Sequence, residues 1–168
     1  MDVPMELLGV RVEIPDNTPV MLLREQGDRQ RLLPILIGNP EASSIHLALG
    51  GVVSPRPLTH DLFVEVLQTL GITVDRVVIT DIREHTYYAT LYLQTADGMK
   101  LVSSRPSYAV ALAARTGAPI FATQVLLDEV GQDPVVADDA LTVDGEEEQI
   151  LDEFRDFIDS INPEDFRG

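Results

Sequence analysis

The sequence predicts an α+β domain of internally duplicated strand-strand-strand-helix units, with mixed or antiparallel sheets and a C-terminal amphipathic helix. Three observations carry this reading. The order strand, strand, turn, strand, helix occurs twice, over about residues 5–50 and 72–116. The helix starts align at an offset of 67 residues, which puts Pro40 on Ser107 and Glu41-Ala42 on Tyr108-Ala109. No stretch alternates strand and helix behind a glycine-rich phosphate loop, so a doubly wound nucleotide fold is set aside.

Each element has a local cause. Met5–Ile14 alternates in part and reads as a strand, ended by the turn residues Pro15-Asp16-Asn17-Thr18. Pro19–Arg24 is a second strand and Gln26-Gly27-Asp28 a turn. Arg31–Ile37 is a third strand, whose Pro34 fits an edge or a bulge. Asn39 is the expected N-cap of a helix over Glu41–Leu49, with Pro40 at its first position and Gly50-Gly51 as its stop. After a loop over Val52–Pro57, Thr59 is expected to cap a helix over His60–Leu70, closed by Gly71. Leu62, Phe63, Val66, Leu67 and Leu70 follow its helical period. Ile72–Ile82 and Thr86–Gln94 read as strands, the second the best in the chain by propensity. Asp97-Gly98 signals a hairpin into a short strand over Lys100–Ser103. Ser104-Arg105-Pro106-Ser107 leads into a small-residue helix, Tyr108–Arg115, stopped by Gly117. Pro119–Ala122 is a short strand, and Thr123–Glu129 forms one or two helical turns.

The chain divides into a body over residues 1–130, a linker over 131–145, and an acidic amphipathic helix and tail over 146–168. Asp144 and Glu147 form the sequence of a capping box. Ile150, Leu151, Phe154, Phe157, Ile158 and Ile161 then make an apolar stripe with acidic flanks. Such a helix docks on its own body or on a protein partner.

At 168 residues the chain buries roughly 70% of its unfolded surface and needs no staple. It has no cysteine, which excludes a disulfide framework, a zinc-thiolate site, an iron–sulfur cluster and a thiol nucleophile. The net charge of −16 argues against a generic nucleic-acid coat. Its distribution weakens that argument. Residues 128–168 hold 15 acids and 2 bases, whereas residues 1–127 hold 13 acids and 10 bases. The body is therefore nearly neutral, and removal of 131–168 is expected to raise any affinity for nucleic acid. Met1–Leu8 has no basic leader pattern, and no apolar run approaches the ~18 residues of a membrane helix. A cytoplasmic location and no membrane partner are expected.

Few residues suggest chemistry by spacing alone. His46, His60 and His85 are isolated, with no HExxH and no GxSxG elbow. Ser103, Ser104 and Ser107 lie near Arg105 without a histidine close in sequence. The densest polar cluster runs from Pro55 to Leu62 into a helix start, where free N–H groups attract anions. There Arg56 would strengthen phosphate binding and His60 would serve as general acid or base. The alternative is structural: Thr59 caps, Asp61 complements the dipole, and Arg56 pairs with Asp61. Arg105 and Ser107 stand at a second helix start, and Glu41 at a third. Convergence of these three termini would make one anion or metal-phosphate site.

At these residues the chain resembles the bifunctional nuclease domain family of bacteria and plants. The matching stretches are Leu33-Pro34-Ile35-Leu36-Ile37-Gly38 with Glu41-Ala42, Arg56-Pro57-Leu58-Thr59-His60-Asp61-Leu62, Tyr88-Ala89, and Ser104-Arg105-Pro106-Ser107 with Ala109 and Pro119-Ile120. They cover about residues 5–130 and leave the acidic tail outside. The resemblance implies a duplicated α+β domain, a homo-oligomer (a dimer first), and nuclease activity on DNA and RNA. It implies Glu41, His60 and Asp61 as catalytic residues, Arg56, Arg105 and Ser107 as substrate-binding residues, and Glu41 and Asp61 as ligands of Mg²⁺ or Mn²⁺. No organic cofactor is expected. One position departs from the family pattern, which has Asp after Arg-Pro-Ser where this chain has Tyr108. Metal-assisted cleavage relies on convergent carboxylates, so Tyr108 predicts weak activity. The alternative function is a non-catalytic interaction or regulatory module, with the arginines locked in ion pairs.

Overall fold

The computed structural model describes residues 1–134. The expected helix over 146–161, the acidic tail and most of the linker lie outside the described residues. Eleven elements follow in order: β1 (Asp2–Glu13), β2 (Thr18–Glu25), β3 (Leu32–Leu36), α1 (Asn39–Leu49), α2 (Thr59–Thr69), β4 (Thr73–Arg83), β5 (Thr86–Thr95), β6 (Gly98–Ser104), α3 (Pro106–Thr116), β7 (Ile120–Thr123) and α4 (Gln124–Val130). The architecture is α+β, as the sequence predicts.

The repeat is visible in the sheet. Its strand order is β3-β2-β1-β7-β4-β5-β6. Each copy is an antiparallel meander followed by a helix, and α1 and α3 start 67 residues apart. The short β7 lies between the two meanders, antiparallel to β1 and parallel to β4. β1 and β4 therefore run in opposite directions, as a two-fold relation perpendicular to the sheet requires. Pro34 sits on β3, the edge strand, where its missing N–H costs no ladder bond.

Several boundaries move by a residue or two. The N-cap of α1 is Gly38 rather than Asn39, and that of α2 is Leu58 rather than Thr59. In α2 the cap works in reverse of the expectation: Asp61 reaches back to accept the Leu58 N–H at 2.9 Å. The helix α3 begins at Pro106, before Tyr108, and closes on Gly117 with φ 72°. Thr123 caps α4, accepting the Leu126 N–H. The β4–β5 turn is a two-residue loop, Glu84-His85, with both φ positive and no glycine to mark it.

The core sits between the sheet and α3. Ala109, Val110, Ala111, Leu112 and Ala113 are all buried, against Val77, Ile79, Ala89 and Leu91 of the sheet. Small side chains let this helix lie close to both sheet and α1. Residues of β3 and of the β4–β5 turn line one recess, although β5 lies five strand spacings from β3. A flat sheet would hold them about 24 Å apart. The sheet is therefore strongly coiled. At one end Arg31 and Glu25 form a buried ion pair at 2.6 Å, and Arg31 also reaches Asp128 of α4 at 2.7 Å.

Candidate functional site

A cleft of about 1320 Å³ opens between the starts of α1, α2 and α3 and the strands β5 and β6. Glu41, Ser44, His60, Phe63, Arg105 and Tyr108 stand in its walls. A recess of about 670 Å³ shares Glu41, Tyr87 and Arg105 with it and adds Ser107 and His85. Three helix starts thus converge, an arrangement that the sequence reading left open.

Glu41 lies in the first turn of α1, where a carboxylate complements the helix dipole. It rests against Gly38, and a Cβ there would collide with Glu41 Oε2. Gly38 has an ordinary extended φ of −77°, and the colliding atom is the movable end of Glu41, so a larger residue there would displace that carboxylate. His60, half-buried at the start of α2, shares a 2.8 Å hydrogen bond between its Nδ1 and Ser44 Oγ. Its ring tilts against Tyr108 at 6.0 Å. Burial, then the Arg115 guanidinium, push its pKa below the ordinary histidine value, against the opposing pull of Glu41 and Asp61. Both effects favour the neutral imidazole. Arg105 caps α3, lies exposed at the cleft, and places its guanidinium 5.7 Å from the Tyr108 ring centre.

Asp61 is held elsewhere. Its Oδ1 accepts from Arg115 Nε at 2.6 Å, and its Oδ2 accepts the Leu58 N–H. Both contacts, the Arg115 one first, hold its carboxyl below the usual range. The expected Arg56–Asp61 pair is not formed. Arg115 takes that position because the last turn of α3 crosses beneath α2, a relation invisible in local sequence. Arg56 is exposed and outside the cleft walls, although Pro57 and Leu58 line them. Ser107 is buried in the recess. Of the six expected site residues, Glu41, His60 and Arg105 meet in the cleft, Ser107 adjoins it, Asp61 braces it from behind, and Arg56 stands apart.

Two residues escaped the sequence reading. Ser44 meets His60 from 16 positions away, and Arg115 reaches Asp61 from 54. Neither carries a local motif.

The donors for a metal are few. Glu41 is the one carboxylate in the walls of the cleft and recess, and Asp61 has both oxygens engaged. Among the described residues, no three His, Asp or Glu side chains converge as ligands. This set does not build a cage for a resident Mg²⁺ or Mn²⁺.

The family model of the bifunctional nuclease domain matches residues 21–134. The chain belongs to the bifunctional nuclease domain family. An uncharacterized protein of Mycobacterium tuberculosis is 42% identical over 166 residues, which is 98% of either chain. Bifunctional nuclease 1 of Oryza sativa subsp. japonica is 28% identical over 117 residues, 68% of this chain and 35% of that protein. The matched span contains the whole cleft, from Pro40 to Leu112. Among the described residues no helix is long and apolar enough to cross a membrane.

Proposed function

We propose that this protein is a nuclease that hydrolyses phosphodiester bonds of single-stranded DNA and RNA in this cleft. The carrying observation is the meeting of an imidazole, an exposed guanidinium and aromatic walls in the span that matches the nuclease family. Arg105 suits a phosphate, which guanidinium binds in a bidentate fork. Phe63 and Tyr108 offer faces on which unpaired bases stack, each worth about 1–3 kcal/mol. His60 is the acid/base group, within hydrogen-bond reach of a hydroxyl. Glu41 opposes the positive surroundings of His60 and favours the imidazolium as it forms. A Mg²⁺ or Mn²⁺ requirement belongs to this proposal only as an ion carried on substrate phosphate, with Glu41 as its protein contact. The reading places the protein in the cytoplasm as a homodimer.

The test is the purified full chain against labelled single-stranded DNA and RNA, with metal and with EDTA. His60→Ala is expected to lower kcat by about 10²-fold or more. Arg105→Ala should act mainly on KM. Cleavage unchanged in both variants would assign the activity to another site or to a contaminant.

A second reading is favoured by one specific surface. On α2 only Leu67 is buried, whereas Leu62, Val66 and Leu70 are 52, 48 and 67% exposed. An apolar helix face of this kind suits a partner helix or a second copy. A folded protein with no cleavage of either nucleic acid would leave the interaction module as the function.

A further inference from the structure

The fold brings together a hydroxyl and an imidazole that the sequence keeps 16 residues apart. Ser44 lies in the second turn of α1 and His60 in the first turn of α2, and both stand in the cleft wall. Ser44 Oγ and His60 Nδ1 are 2.8 Å apart, the separation expected of a nucleophile and its base.

The pair is clamped by a single side chain. Arg115 donates to the main-chain oxygen of Ser44 at 3.2 Å and to Asp61, the neighbour of His60, at 2.6 Å. It is also tied to its own helix through Ala111 O at 3.0 Å. One guanidinium thus ties the backbone of Ser44 to the side chain of the residue next to His60, and its own side chain is only 10% exposed. Preorganisation of this kind separates a reactive pair from a chance surface hydrogen bond. Ser44 is itself buried, so the cleft is the open side from which an electrophile approaches.

We infer that Ser44 is the nucleophile of the cleft and His60 its general base, with the phosphorus of a phosphodiester as electrophile. This assignment rests on the nuclease reading for its substrate alone. Ser44 Oγ forms a bond to phosphorus as its proton passes to His60 Nδ1. The bond from phosphorus to the departing ribose or deoxyribose oxygen breaks, and His60 returns the proton to that oxygen. Water then attacks the phosphoseryl group, giving its proton to His60, and Ser44 leaves with that proton restored. Atoms and charges balance without an external reactant other than water. The groups facing His60 are the cationic Arg115, the anionic Glu41 and Asp61, and the Tyr108 ring. The two carboxylates offset the charge of the transient imidazolium. Arg105, across the cleft, faces the charge on the phosphoryl oxygens.

The experiment treats the full chain with diisopropyl fluorophosphate and maps the adduct by peptide mass spectrometry. The expected result is one adduct on Ser44, forming about 10²-fold or more slowly in His60→Ala. Ser44→Ala, with an unchanged far-ultraviolet circular dichroism spectrum, should take no label and lose cleavage. Ser44→Cys keeps the shape of the side chain with a slightly larger atom, and iodoacetamide should alkylate the new thiol faster than it does in Ser44→Cys combined with His60→Ala. An adduct on another residue, equal rates with and without His60, or cleavage surviving Ser44→Ala would overturn the assignment. Labelling of Ser44 in a His60-dependent way, with no cleavage of DNA or RNA, would sink the nuclease reading and uphold the pair.

Discussion

The two copies of the repeat share a plan and differ in use. Each is a three-stranded meander that ends in a proline-started helix. In the first copy α1 buries only Ser44 and Ile45. In the second, α3 buries seven residues and becomes the central helix of the domain. The cause is what surrounds them: α3 lies against the sheet, α1 and α2 together. Duplication supplied the scaffold, and departure from symmetry supplied the cleft. Equivalent helix starts carry Glu41 in one copy and Tyr108 in the other, facing the same space.

The largest expected effect breaks the first copy where the second has nothing comparable. Glu25→Ala strands the buried Arg31 guanidinium, and urea denaturation should report a loss of about 3–5 kcal/mol. A loss below about 1 kcal/mol would mean that Asp128 alone satisfies Arg31.

The next contrast uses positions related by the repeat. His46 on α1 is exposed, whereas its equivalent on α3, Ala113, is 2% exposed. Ala113→His forces a larger polar ring into the core and should cost about 2–3 kcal/mol. His46→Ala should stay within about 0.5 kcal/mol. Similar costs at both positions would contradict the division of labour between the helices.

A smaller effect follows from pH. The folded-state pKa of His60 lies below its unfolded value of about 6.5, so the unfolded chain binds more protons between the two. Stability should therefore fall as pH drops from about 6.5 towards the folded pKa, then level off. Asp61 and Glu25, both lowered by arginine partners, contribute stability that persists until pH falls through their own depressed values. Urea midpoints between pH 7.5 and pH 5 should show the first slope in the parent and a flatter line in His60→Ala.

The smallest change restores chemical symmetry. Tyr108→Asp puts a carboxylate beside His60 and should move its titration back up, towards the ordinary value. Imidazole proton resonances followed against pH would show it. An unmoved titration would mean that the helix start holds the new carboxylate away from the ring.

Much of this plan was legible because it is local. Strand alternation, Gly38-Asn39-Pro40 and Gly117 report backbone preferences that a short window contains. Duplication could be read from element order alone. The pairings were not legible, because they depend on how helices cross. Arg56 stood five residues from Asp61 and looked like its partner, yet Arg115 fills that place from α3. The apolar period of α2 promised a buried stripe. Period reveals an amphipathic helix but not what lies against it, and here most of the stripe faces outward. Ser44 gave no signal, since a serine inside a helix is unremarkable until a histidine from another helix meets it.

The position of β7 bears on how the chain comes into being. Among the described residues, Ile120–Thr123 are the only strand joining the meander that begins with β1 to the one that begins with β4. They are also nearly the last of the described residues to be synthesised. Until they emerge, β1 and β4 each present an open edge, the kind of surface that pairs with other chains. The two meanders can form early from local contacts, but the sheet closes only at the end. Ribosome-bound chains ending before Ile120 should thus resist protease within each meander, remain cleavable between them, and aggregate on release, whereas chains extended past Val130 should not.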